Sequence, residues 1–161
     1  MQSFSRLSVF PSRQSSRASN GSSSDRMSPQ QNEIVTSASQ FNQNSEGATK
    51  FALTDLICTV LRLDFYDIDD AYSIAFCESA LEMILYKIDL PKRTKASVRL
   101  HLKGEGHIDD IVSLITTIKQ DTFVEEKGSM HILAFLVIIS IEMADYDSRF
   151  RVLLRHVTDN R

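Results

Sequence analysis

The chain has 161 residues, of which 42% are hydrophobic and 24% charged, a length that suits one modest domain better than two. Its formal net charge of -3 at pH 7 disfavours a nucleic-acid binder that relies on overall positive charge. The two cysteines, Cys58 and Cys77, lie inside apolar stretches, where a buried thiol is the usual role. No disulfide framework is therefore indicated.

Residues 1–48 are dominated by Ser, Asn, Gln and Arg and contain few large apolar side chains. Such a segment buries too little apolar surface to offset the entropy of ordering its backbone, so we predict a disordered tail. Ser15, Ser16 and Ser19 lie close to arginines and are candidate phosphorylation sites. The first 24 residues contain arginines and no acid, as in mitochondrial transit peptides, so a mitochondrial location is an alternative to a cytoplasmic one.

Helical periodicity begins at Thr49, a candidate N-cap, and continues in one apolar stripe: Leu53, Leu56, Ile57, Val60 and Leu61. The acidic segment 64–70 follows and places carboxylates where the next helix has its positive end. The pattern predicts a second helix over residues 71–87, and Pro91 prevents its continuation.

Residues 91–107 have the composition of a connector and bring five basic residues close together in an otherwise acidic domain. These residues form a candidate basic contact patch: Lys92, Arg93, Lys95, Arg99 and Lys103. Such a patch suits an acidic protein partner or a weak contact with RNA phosphates, and nucleic acid is otherwise not expected to bind.

Three more helices are predicted, at 107–120, 128–144 and 148–157. A strand is the alternative for 107–120, but Asp109 and Asp110 favour the first turn of a helix. The run from Met130 to Ala144 is too short to span a bilayer, which needs about 20 residues. Because the run is apolar on every side, it predicts a central helix with four core residues: Ile132, Phe135, Leu136 and Ile139.

The fold class predicted from these patterns is all-α, a bundle of about five helices over residues 49–161 behind a disordered N-terminal tail. The four histidines have no paired spacing typical of a metal site, and the acidic segment lacks the glycine and closing glutamate of a calcium loop. No glycine-rich phosphate loop or nucleophile elbow is present. We therefore predict no metal, no cofactor and no enzymatic activity, and expect the protein to act through protein contacts.

The order of these features resembles the C proteins of paramyxoviruses, small accessory proteins of morbilliviruses and henipaviruses. The resemblance is carried by VLRLDF, YSIAFCESALEMILYKI, DDIVSLITTIKQD and EEKGSMHILAFLVI. It implies a non-enzymatic protein of the host cytoplasm that antagonises the host interferon response and modulates viral RNA synthesis. It also implies contacts with host signalling proteins and the viral polymerase complex, made by residues 109–157. The basic tail signal that some members carry is missing, so nuclear access is not implied.

A second stretch, TFVEEKGSMHILAFL, is similar to the first homology region and central helix of Bcl-2-like proteins. Ser129, Met130 and His131 stand where that family has Trp-Gly-Arg. This resemblance implies a helical regulator of apoptosis that binds a death-motif helix. A generic helical adaptor module is the remaining alternative.

Overall fold

The computed structural model describes residues 28–106, 110–142 and 148–159. Within these ranges the chain forms eight α-helices and no strand, which confirms the all-α prediction. In chain order the helices are α1 (Pro29–Asn44), α2 (Gly47–Asp64), α3 (Ala71–Lys87), α4 (Lys92–Leu102), α5 (Ile111–Lys119), α6 (Thr122–Lys127), α7 (Met130–Glu142) and α8 (Ser148–Asp159).

Helix α3 has the bounds that the sequence predicts, and its N-terminus is capped by the acidic segment. The carboxylate of Asp70 accepts a hydrogen bond from the backbone N–H of Tyr72 at 3.0 Å. Helix α2 begins two residues before the predicted N-cap, because Glu46 is its N-cap and Thr49 lies in its first turn. Pro91 directly precedes α4 instead of leading into a connector.

The prediction of a disordered tail over residues 1–48 is wrong for α1. Ser28 and Gln31 form a capping box with distances of 2.9 and 3.3 Å, and Pro29 occupies the first turn. Ala38 and Phe41 are buried, and the Phe41 ring lies 5.4 Å from that of Phe135 on α7. The capping box and the burial of Ala38 and Phe41 therefore stabilise this polar segment as a helix. Residues 1–27, with Ser15, Ser16 and Ser19, lie outside the described part of the chain.

Two further helices, α4 and α6, lie in segments where no helix was predicted. On α4 only Val98, His101 and Leu102 are buried, so its apolar stripe is too narrow to dominate the sequence pattern. Helix α6 spans six residues and buries only Val124. Gly128 ends α6 with a φ of 78° and turns the chain directly into α7.

Helix α7 packs most extensively against α1, whereas the helix with the most buried residues is α2, so the prediction of α7 as the central helix is wrong. All four predicted core residues on it, Ile132, Phe135, Leu136 and Ile139, are buried. Its two ends reach the surface, because Met130 and Ile141 are 63% and 69% exposed. The fold therefore hides the middle of the apolar run and leaves a large hydrophobic side chain accessible at each end.

Both cysteines are free, buried thiols that pack between helices. The Sγ of Cys58 donates to the carbonyl of Val98 at 3.4 Å, and that of Cys77 to the carbonyl of Leu61 at 3.6 Å. Burial raises the pKa of Cys58 to about 12 and that of Cys77 to about 11. Both groups are therefore protonated at neutral pH, which suits a packing role and not a nucleophilic one.

Candidate functional site

The predicted basic patch lies on α4, where part of it pairs with acidic residues of α3. Arg99 binds the Glu82 carboxylate in a bidentate arrangement, with Nε–Oε1 at 2.5 Å and Nη2–Oε2 at 2.8 Å. This hydrogen bonding from the guanidinium lowers the pKa of Glu82. Lys103 lies 3.9 Å from a carboxylate oxygen of Glu78. Because both pairs are about half exposed, each stabilises the fold by only about 0–1 kcal/mol.

A third member of the basic patch also contacts α3, since the Nζ of Lys95 donates to the backbone carbonyl of Leu85. Three residues of the predicted patch thus contact α3, although Arg99 and Lys103 stay about half exposed. The other two, Lys92 and Arg93, face solvent at the start of α4.

A buried polar cluster joins α2 to α4, and the sequence analysis did not single it out. The Nδ1 of His101 lies 2.5 Å from the Oδ1 of Asp55, and its Nε2 lies 3.3 Å from the Oγ of Ser97. His101 is 6% exposed and Asp55 0% exposed. In the sequence, the signal for this cluster is the position of two polar residues among apolar ones. Asp55 lies inside the apolar stripe of α2, and His101 lies beside Leu102.

The order of atoms in this cluster is that of a serine–histidine–aspartate relay, but its surroundings are those of a structural contact. A Cβ added at Gly106 would lie 3.4 Å from the His101 ring, so the loop after α4 covers the imidazole. The cluster opens into none of the three clefts described below. We interpret it as a polar latch between α2 and α4.

Asp121 is a second buried acid that the sequence analysis missed, and it organises two helix starts. Its Oδ1 accepts from the backbone N–H groups of Phe123 and Val124, which caps α6, and its Oδ2 accepts from that of Glu46 at the start of α2. Burial would raise the pKa of Asp121, but hydrogen bonds from the Thr49 side chain and the three N–H groups lower it. The carboxylate thereby joins α6 to α2.

We expect Asp121→Ala to lower the free energy of unfolding by about 1–3 kcal/mol at pH 7, since it leaves buried N–H donors without their acceptor. The pKa in the folded state is lowered, so the contribution of the carboxylate is complete above its unfolded pKa of about 3.9. This stabilisation is lost as the pH falls through the pKa of Asp121 in the folded state, which is the lower of the two pKa values. Chemical denaturation of both proteins from pH 7 downwards measures this difference.

The matched control is Asp110→Ala, because Asp110 is also an aspartate at an N-cap, that of α5, but its side chain makes no capping hydrogen bond. We expect a change within about 0.5 kcal/mol. An Asp121→Ala protein whose deficit stayed constant down to the acid transition would contradict the proposed role of the charge.

Two clefts among the described residues are bordered by ion pairs. One lies between α3 and α4, beside the Arg99–Glu82 and Lys103–Glu78 pairs. Another lies between α1 and α7, beside the Lys87–Glu142 pair. A third cleft has a volume of about 180 Å³ and is lined almost entirely by apolar side chains. We call it the apolar groove, lined by Leu53, Leu56, Ile115, Ile118, Lys119, Val124, Ser129, Met130, Ile132, Leu133 and Val157.

The apolar groove is built where α2 and α5–α8 meet. Its base includes buried side chains such as Leu53 and Ile132, whereas Met130 at its rim is 63% exposed. Lys119, the last residue of α5, is the one charged residue among those that line it. The groove therefore combines accessible apolar surface with a single positively charged side chain.

His131, at the position of the arginine in Bcl-2-like proteins, does not line the groove. Its Nε2 lies 3.0 Å from the Gln40 side chain of α1, and its ring packs edge-on against Phe123 with centroids 5.0 Å apart. Of the three residues at the Trp-Gly-Arg positions, Ser129 and Met130 line the groove and His131 does not.

No cluster of three or more histidine, cysteine, aspartate or glutamate side chains suitable for a metal occurs in the described ranges. Two carboxylates of the acidic segment contact other groups of the protein. Asp67 accepts from the N–H of Asp69 at 3.0 Å, and Asp64 lies 2.6 Å from the Nδ1 of His156 on α8. His107 lies outside the described residues.

Comparison with known proteins finds one long match and no family. No protein-family model and no solved structure matches the chain. An uncharacterized membrane protein of Caenorhabditis elegans is 39% identical over 150 residues, which cover 92% of this chain and 23% of that protein. Across residues 28–106, 110–142 and 148–159, no helix has the length and apolar character needed to cross a membrane. The chain is thus similar to less than a quarter of a longer nematode protein.

Proposed function

We propose that the chain is a non-enzymatic protein-binding module and that the apolar groove is its binding site. The observation that carries the proposal is the groove itself, since its lining is almost entirely apolar and Met130 at its rim is 63% exposed. Burying such surface against a partner drives protein association.

The size of the groove suits side-chain anchors. An apolar cavity of about 150 Å³ holds a benzene molecule, so a groove of about 180 Å³ accommodates one or two large aliphatic or aromatic side chains. A few anchors of this kind carry most of the binding energy in protein interfaces. The groove is therefore expected to recognise a short segment of a partner.

The proposal is tested with Met130→Lys, which places a charge at the exposed rim of the groove without disturbing the core. The matched control is Ile141→Lys, at a residue that lies on the same helix and is about equally exposed but does not line the groove. A displayed library of random linear peptides is selected against each 161-residue protein. We expect wild type and Ile141→Lys to enrich the same sequences, and Met130→Lys to lose them.

Thermal unfolding followed by circular dichroism establishes that the two variants are equally folded. If Met130→Lys retains the same peptides with unchanged affinity, the groove is not the binding site. If none of the folded proteins enriches any peptide, the protein-binding function fails as well.

The paramyxovirus resemblance extends this proposal to antagonism of the host interferon response and modulation of viral RNA synthesis, which stay predictions. Suppression of an interferon-promoter reporter by the expressed chain tests them, and a well-expressed chain without suppression would count against them.

Binding of a death-motif helix, implied by the Bcl-2-like resemblance, also stays a prediction. Calorimetric titration with such a peptide tests it, and a flat titration would contradict it.

A further inference from the structure

Four residues form an apolar stripe on the outer face of α7, which we call the α7 seam: Met130, Ala134, Val137 and Ile141. With about 3.6 residues per turn, this stripe lies on the side of the helix opposite to its four buried residues. Met130 and Ile141, at the ends of the seam, are 63% and 69% exposed, and the two residues between them are partly exposed. The seam therefore presents uncharged side chains to solvent along about 16 Å of helix.

The neighbours of α7 lie on either side of the seam. Helix α1 packs on one side, where the Gln40 side chain contacts His131. The apolar groove opens on the other side, where Leu133 lines it. A helix that is apolar on every side is ordinarily surrounded by protein, so one more helix packed on the seam would complete the burial of α7.

The spacing of the seam is that of a coiled-coil interface, because its members are separated by four, three and four residues. Its side chains are large at the two ends and smaller at the two middle positions, so the order of sizes is the same in both directions. Two copies of the seam therefore fit each other when they run antiparallel. Met130 then faces Ile141 of the second copy, and Ala134 faces Val137, which lets the helix axes approach closely.

The charges at the ends of α7 favour the same direction. Glu142, whose side chain is 42% exposed, ends the helix, whereas the N–H groups at the start of the helix carry positive potential. A parallel pair would bring two glutamates to one end and two positive helix starts to the other. An antiparallel pair places each glutamate at the end where α7 of the other copy begins, and there the exposed Lys127 lies three residues before Met130.

We propose that the α7 seam binds the same seam of a second copy of the chain, in an antiparallel pair with two-fold symmetry. This inference goes beyond the proposed function, since the seam is a separate face of α7 and needs no bound peptide. Met130 belongs to both the seam and the apolar groove. Ile141 lies outside the groove, so its replacement tests the seam alone.

Sedimentation equilibrium of the 161-residue protein measures the association. We expect the average mass to rise with protein concentration towards that of a dimer. Ile141→Lys should raise the Kd of the dimer at least about tenfold, since one lysine from each copy would enter the apolar interface. Val112→Lys is the matched control and should leave the Kd unchanged, because Val112 is 68% exposed on α5 and lies outside the seam. Thermal unfolding followed by circular dichroism checks that both variants are folded.

Cysteine cross-linking measures the direction of the two helices. Met130→Cys and Ile141→Cys proteins are mixed at equal concentration and treated with a mild oxidant, and the disulfide-linked products are identified by mass. We expect links between the two different variants and few links between two copies of the same variant. Wild-type protein treated in the same way is the control, because Cys58 and Cys77 are buried and should form no disulfide between chains.

The outcomes separate this inference from the proposed function. Wild-type protein that stays monomeric at every concentration overturns the inference, and so does a dimer that Ile141→Lys leaves intact or that Val112→Lys weakens equally. Disulfides formed chiefly within each variant overturn the antiparallel arrangement. A monomer that enriches peptides, and loses them with Met130→Lys, upholds the groove without the dimer. A dimer that enriches no peptide upholds the seam without the groove.

Discussion

Replacing His101 with alanine is expected to lower the free energy of unfolding by about 3 kcal/mol, the upper end of the usual cost when a buried polar group loses a hydrogen-bond partner. The Asp55 carboxylate, which is 0% exposed, would lose the imidazole that lies 2.5 Å from it. The contact also joins α2 to α4 across 46 residues of sequence, so its loss weakens the attachment of α4. Urea denaturation with an unchanged m-value measures the effect.

The control for His101→Ala is Glu82→Ala, which removes an exposed residue of α3 that also contacts α4, the helix of His101. Glu82 pairs with Arg99 in good geometry, but the pair is about half exposed, so we expect a loss of only about 0–1 kcal/mol. A double-mutant cycle of His101→Ala with Asp55→Ala isolates the coupling between the two side chains. If the two replacements prove additive, the polar latch does not exist as a unit.

Phe41→Ala is expected to cost about 3–5 kcal/mol, because it removes a fully buried aromatic side chain and leaves a cavity. Phe41 is 0% exposed and packs on Phe135 of α7. We also expect faster amide hydrogen exchange throughout α1, since its remaining anchors are mainly polar. One of these is Asn42, whose side chain bonds the carbonyl of Lys87 and the N–H of Asp89 at 3.0 Å each.

Ile34→Ala is the matched control for Phe41→Ala, since Ile34 is an apolar residue of the same helix but is 37% exposed. Its removal should cost less than about 1 kcal/mol. Equal, small effects of both replacements would contradict the packing of α1 on α7 and support the tail that the sequence pattern predicted.

The helices predicted best are those with wide, continuous apolar faces. Helix α3 has the predicted bounds because its apolar spacing is regular, Asp70 supplies a cap and a proline follows. Helices α7 and α8 agree with their predicted segments within a few residues. In such segments the apolar periodicity of the sequence agrees with the burial in the folded protein, so the sequence alone is sufficient to predict the helix.

The helices that were missed have few buried residues and depend on distant partners. Helix α1 buries only Ala38 and Phe41, and its composition alone is typical of disorder. Helix α4 is highly charged, but some of its charges meet acidic residues of α3. Nothing within either segment specifies these partners, because they lie far away in the sequence.

Some features of the candidate site are also indicated by the sequence, whereas others are visible only in the structure. The sequence identified the segment from Thr122 to Leu136 as one worth attention, through its resemblance to a known homology region. It could not show that Lys119 and Val157 border the same groove, or that His131 turns towards α1. It also directed attention to five basic residues, of which three contact α3.

By itself, the sequence determined that this protein is helical, that α7 supplies core residues and that both cysteines lie in apolar surroundings, because hydrophobic periodicity is a local property. The tertiary structure alone decided that α1 joins the bundle, that Asp55 and His101 meet, and that five helices leave an apolar groove with one lysine at its rim. These features depend on side chains that are distant in sequence, and only chain folding determines which of them come into contact.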